Sequence, residues 1–275
     1  MIRRLIALCA SLTLIGGVAA SVWWWPSAPI PAETALAELP IPPFPPRITE
    51  GSAYEACLAT LSGDPISAVA MAETWQADGG GDGALHCRGL ALIAMGNAAD
   101  GAALLEQLSQ QSNAPAMARA NVLGQAAQAR LMVAQADLAA SDASLALTLS
   151  PANTELFILR ATAEGMGGRF NEAVDDLGAA LRLESGRPDA LVLRAMMRRK
   201  LDQLDLAQSD VSRALTLDPE DADALLERGI LRQRMGDWAG ARADWEHARG
   251  ADPNSTTADL AEQNLSLLEA GPLRQ

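Results

Sequence analysis

Residues 120–253 repeat every 34 positions, and a period of 20–50 residues restricts a chain to stacked arrays of one supersecondary unit. Aligned at that spacing, four segments begin at Ala120, Thr154, Pro188 and Ala222. Position 8 carries Ala127, Ala161, Ala195 and Gly229, and position 20 carries Ala139, Ala173, Ala207 and Ala241. Position 27 is Ala146, Ala180, Ala214 and Ala248. Small side chains in phase are what two helices need where they cross closely, and what the next unit needs to pack against. Position 4 (Leu123, Phe157, Leu191, Leu225) supplies the larger apolar filling, spaced as on an amphipathic helix. Pro151, Pro219 and Pro253 close three units at position 32, where a residue lacking an N–H stops a helix; Ser185 and Gly186 stand there in the second. No stretch alternates at period two, so the pattern is all-α.

The last unit has Gly229, Gly236, Asp237, Trp238, Ala241, Trp245, Ala248 and Pro253 at positions 8, 15, 16, 17, 20, 24, 27 and 32. This pattern resembles the tetratricopeptide repeat, a helix–turn–helix unit of 34 residues. The resemblance implies a right-handed α-solenoid and a binding rather than a catalytic role. It gives four units: 120–153, 154–187, 188–221 and 222–255. Upstream, 48–119 holds two degenerate hairpins. Gly89, Gly96, Asn97, Gly101 and Leu105 fit a unit starting near Asp82, four residues out of phase, with the offset absorbed around Ser112–Arg119. Cys57, Gly63, Asp64, Ala68 and Trp75 fit one before it, and Gly79–Gly83 reads as a flexible break between the two. The expectation is about six hairpins. A solvating helix over Thr256–Ala270 follows, with Leu260, Leu267 and Leu268 on one face, and 256–275 forms cap and tail.

Charge repeats as well. Position 23 is Asp142, Asp176, Asp210 and Asp244, and position 7 is Arg160, Arg194 and Arg228 but Ala126 in the first unit. The missing arginine follows a unit with no acid at position 23. That suggests a ladder between neighbours, with Asp142 on Arg160, Asp176 on Arg194 and Asp210 on Arg228, always 18 apart. The competing pairing is within a unit, 16 apart.

At the other end, Arg3 and Arg4 precede an uncharged stretch, Leu5–Trp25. As a helix it is about 31 Å long, near the thickness of a bilayer core. Trp23, Trp24 and Trp25 suit the interface, and the basic residues put the N-terminus in the cytoplasm. Residues 1–25 read as an N-terminal hydrophobic helix serving as transmembrane anchor; a cleaved signal peptide ending near Ala20 is the alternative. Either reading exports the array, to the inner membrane facing the periplasm or to the periplasm itself. Residues 26–47, with eight prolines between Pro26 and Pro46, form an extended linker.

The chain carries 21 Lys and Arg against 34 Asp and Glu, a net charge of −13. Such an anion is repelled by nucleic acid. Cys57 and Cys87 fall on first helices of successive hairpins, where an oxidising compartment favours a disulfide over two buried thiols. His86 is one residue from Cys87, about 100° away on a helix, and does not serve it as a base; no Cys or His cluster has zinc spacing. No cofactor, catalytic centre or small-molecule substrate is expected.

In the resembled family, first-helix residues face a concave groove. Carried over, these are Ile158, Thr162, Met166, Val192, Met196, Arg199, Lys200, Leu226, Ile230, Gln233 and Arg234. They imply an aliphatic floor with a basic wall that accepts a peptide or helical segment of a protein partner. The expected role is a protein-binding scaffold of a bacterial envelope, tethered through its N-terminal helix. Alternatives are an assembly factor for cytochrome c maturation or outer-membrane biogenesis, and a self-associating structural protein.

Overall fold

The computed structural model describes residues 46–271, and the leader and most of the proline-rich linker lie outside the described residues. Thirteen helices and no strand occur among the described residues. The degenerate hairpins are α1 (Ser52–Leu61) with α2 (Pro65–Ala77) and α3 (Gly81–Ala94) with α4 (Ala98–Gln111). The regular ones are α5 (Ala116–Met132) with α6 (Ala136–Leu149), α7 (Thr154–Met166) with α8 (Phe170–Leu183), α9 (Pro188–Lys200) with α10 (Leu204–Leu217), and α11 (Ala222–Arg234) with α12 (Trp238–Ala251). The array ends in α13 (Thr256–Glu269). No described helix is long and apolar enough to cross a membrane.

The repeated small residues explain this stacking. The alanines at positions 20 and 27 are all fully buried. With no side chain beyond Cβ, they let helices approach closely enough for Leu177, Leu191, Val211 and Leu225 to fill the layer between. Position 15 turns each hairpin with positive φ, at Ala134 (57°), Gly168 (77°), Asp202 (60°) and Gly236 (87°). Only glycine adopts that conformation without strain, so two of the four turns are held by their helices rather than chosen by their residue.

Two irregularities have local causes. The four-residue phase offset is taken up as one added turn at the start of α5, which has 17 residues where α7 has 13. The glycine run is not a flexible break: Gly81–Gly83 belong to α3, and only Asp78–Gly80 form the turn. A Cβ on Gly80 or Gly83 would stand 2.7 or 2.5 Å from Trp75, so the run makes room for an indole.

Each second helix packs on the first helix of the next hairpin, and beyond that neighbouring hairpins touch first helix to first helix: α1 on α3, α5 on α7, α7 on α9, α9 on α11 and α11 on α13. No comparable contact joins successive second helices among the described residues. A row held closer along one side bends toward that side, so the first helices line the concave face. α13 continues this row, beginning 34 residues after α11. It buries Thr257, Ala258, Ala261 and Leu265. Leu260 and Leu267 lie off that buried face, 43% and 56% exposed, whereas Leu268 packs partly against the core.

Candidate partner-binding groove

The floor of the concave face is set by positions 5 and 9 of successive first helices. Ile158, Met196 and Ile230 are partly buried against the core, while Val192 and Leu226 are buried. Met166 is 51% exposed and Thr162 spends its hydroxyl on the Ile158 carbonyl at 2.9 Å. Leu260 and Leu267 occupy positions 5 and 12 of the same register and extend the apolar stripe onto α13. Reading that helix only as a solvating cap missed them; the signal was there, since 256 is the next multiple of the repeat.

The basic wall is more constrained than the sequence implied. Arg199 donates from Nε to Glu227 Oε1 at 2.5 Å and from Nη2 to Oε2 at 3.1 Å. Glu227 is 3% exposed, and its burial raises the carboxyl pKa against the opposing pull of Arg199. This pair ties α9 to α11 and is occupied with packing. Arg234 reaches Asp202 at 2.8 Å and the Arg199 carbonyl at 3.1 Å. Lys200 is exposed and makes no ion pair among the described residues. Gln233 is half-buried beside them.

The charged positions do not form a ladder between units; the within-unit pairing occurs instead. Arg160 donates to Asp176 at 2.5 and 2.6 Å, Arg194 to Asp210 at 2.9 and 2.6 Å, and Arg228 to Asp244 at 3.0 and 2.7 Å. Position 7 lies next to the small residue at position 8, where the two helices of one hairpin cross, so the guanidinium meets its own second helix first. Position 11, one turn on, adds a second arginine: Arg198 to Asp210 at 2.6 Å and Arg232 to Asp244 at 2.7 Å. In the first unit Arg130 acts alone. Its Nε lies 2.5 Å from Asp142 Oδ2, an ionic contact without hydrogen-bond alignment, and it also pairs with Glu106 of α4. Burial pushes the Asp142 carboxyl up to about 6 despite Arg130. The arginines at position 11, which sequence reasoning passed over, explain why Ala126 needs no replacement.

Cys57 and Cys87 are fully buried, with sulfurs 1.97 Å apart, linking α1 to α3. His86 points away from them: its Nδ1 lies 2.5 Å from the Tyr54 hydroxyl and its Nε2 2.6 Å from Gln125 Oε1. An amide oxygen only accepts, so Nε2 carries the proton and Tyr54 donates to Nδ1. Burial pushes the imidazole down to about 4. Caged in this way, His86 is a neutral bridge between α1, α3 and α5. His247 is exposed, 2.9 Å from Glu220. No group of three or more metal-ligating side chains occurs among the described residues.

Residues 200–266 match the family model for the tetratricopeptide repeat. Among solved structures, the chain is similar to a thermophilic TPR protein of Thermus thermophilus, at 18% identity and a TM-score of 0.53, covering 68% of this chain and 99% of that one. It is also similar to MamA of Desulfovibrio magneticus RS-1, from residue 41 to its end, at 14% identity and a TM-score of 0.53, covering 63% and 99%. No curated protein matches the sequence. Likeness at this identity speaks to the fold alone: the described residues form a tetratricopeptide-like solenoid.

Proposed function

We propose that the chain is a protein-interaction scaffold that holds a partner segment along its first helices. The observation that carries this is the apolar stripe through Ile158, Met196, Ile230, Leu260 and Leu267, which stays part-exposed at successive first-helix positions along one curved surface. A continuous stripe on such a surface suits the apolar face of a helix or an extended chain. Lys200 adds attraction for a carboxylate; Arg199 is committed to Glu227. The array sits outside the cytoplasm, tethered through residues 1–25, a placement that rests on the basic-then-apolar leader and on the paired Cys57 and Cys87.

The test uses residues that support no packing. A partner is crosslinked in the native membrane and identified, and its recovery is then measured with Leu260→Glu, Leu267→Glu and Lys200→Glu. Each is expected to lower recovery several-fold while the helical circular dichroism is unchanged. Full recovery with all three replaced would remove the concave face from consideration.

A further inference from the structure

The described chain starts on the concave face, and it starts in a direction. Ile48 is 6% exposed and packs with Leu90 of α3 and Val122 of α5 in one core cluster. The Thr49 methyl stands where a Cβ of Gly83 in α3 would be, 2.7 Å away. Three residues earlier the Pro46 carbonyl accepts from Asn121 Nδ2 of α5 at 3.2 Å. Arg47 pairs back to Glu55 of α1. Between α3 and α5 the first helices lack the close contact found between α5 and α7 or α9 and α11. The lead-in segment fills that place, and traced toward the N-terminus it passes from α3 to α5.

Upstream of Pro46 the sequence suits the surface next in line. From Pro26 to Pro45 the only charged residues are Glu33 and Glu38, and Leu36, Leu39, Ile41 and Phe44 supply apolar side chains between prolines. Ahead of α5 on the concave face come Ile158, Met196 and Ile230, with Lys200 as a cation that makes no ion pair among the described residues. Lengths agree: three steps of about 10 Å from α5 to α11 need roughly ten residues at about 3.1 Å each. We propose that residues 36–45 are a ligand in cis, occupying the groove from α7 to α11 in continuation of Pro46–Thr49, so that an outside partner has to displace them. The inference rests on the groove reading above and adds its resident competitor. Proline suits the role, because a pre-extended segment loses little entropy on docking and offers few N–H groups that need partners.

The test is photocrosslinking of the full chain in detergent, with benzoylphenylalanine in place of Leu39 and, separately, of Leu36. Peptide mapping is done on a mixture of 14N- and 15N-labelled protein. The expected products are same-isotope crosslinks to residues 154–166, 188–200 or 222–234. Lys200→Glu should lower their yield about twofold to fivefold, the range of one exposed charge pair. Adding Glu33→Lys and Glu38→Lys should restore it. Crosslinks confined to second helices, no crosslinks, or mixed-isotope products (which would put the segment on a second copy) each overturn the proposal. An unchanged yield in Lys200→Glu overturns its charge match. Partner recovery with Leu260→Glu and Leu267→Glu, both beyond α11, judges the groove independently: lost recovery with misplaced crosslinks would leave the groove standing without its resident ligand.

Discussion

Glu164 stands at position 11 of the second regular unit, where the other three have Arg130, Arg198 and Arg232. In the third and fourth units that arginine gives the position-23 carboxylate an extra hydrogen bond. Here a second carboxylate shares Arg160 with Asp176, and Glu164 Oε2 is buried with no partner among the described residues. Burial first, and then the Asp176 charge, push the Glu164 carboxyl up to about 7 from 4.5, with Arg160 and Arg169 pulling down and Glu172 pushing up. Because the native state keeps this proton to higher pH than the unfolded chain, its contribution is full below pH 4.5. It is lost as pH rises through about 7. A rise from 4.5 to about 7 has a ceiling of about 3.4 kcal/mol; for a half-buried group, solvent screening leaves about 1–2 kcal/mol. Glu164→Gln should flatten the pH dependence of hairpin α7–α8 between pH 5 and 8. Glu164→Arg should supply the missing bond to Asp176 and raise stability at pH 8 by about 1–2 kcal/mol, or about 3–6 °C in melting temperature. Hydrogen exchange of residues 154–183 at pH 5.5 and 8.5 is the assay, because a repeat array opens locally. Equal pH dependence in wild type and Glu164→Gln, or a weaker α7–α8 in Glu164→Arg, would refute the reasoning.

His86 has the opposite sign. Its folded value of about 4 lies below the ordinary 6.5, so its contribution is full above pH 6.5 and is lost as pH falls to about 4, by about 3 kcal/mol for a fully buried ring. Protection of α1, α3 and α5 should fall on acidification in wild type and fall less in His86→Gln. Gly229→Ala should destabilise α11–α12 by about 1–3 kcal/mol. The new Cβ would meet Trp245 Nε1 at 2.3 Å, where the indole donates to the Leu226 carbonyl at 3.3 Å. The same exchange in the other direction, Ala195→Gly beside Val211, should cost only a cavity and helix propensity, so equal effects in both would dismiss the steric account. Breaking the Cys57–Cys87 link with Cys57→Ser and Cys87→Ser together should lower the stability of α1–α4 by about 2–4 kcal/mol. Free thiols at both positions in unreduced peptide maps of the wild type would remove the premise.

Much of the fold was legible because the repeat states its rule four times. A period of 34 with alanine at 8, 20 and 27 sets helix crossings, and even the exception follows it: the glycine at position 8 coincides with the one aromatic at position 24, Gly229 with Trp245. Periodicity cannot say which of two helices an arginine reaches, since separations of 16 and 18 recur equally often. The crossing geometry decided for Asp176 and Arg160, and it brought in Arg130, Arg198 and Arg232 from a position that one-dimensional matching had not tied to any acid. Nor does a repeat rule cover what is not repeated. Trp75 seated over the glycines, Ile48 placed between α3 and α5, and Glu227 holding Arg199 out of the groove are contacts between residues of different units, and only packing in three dimensions brings them together.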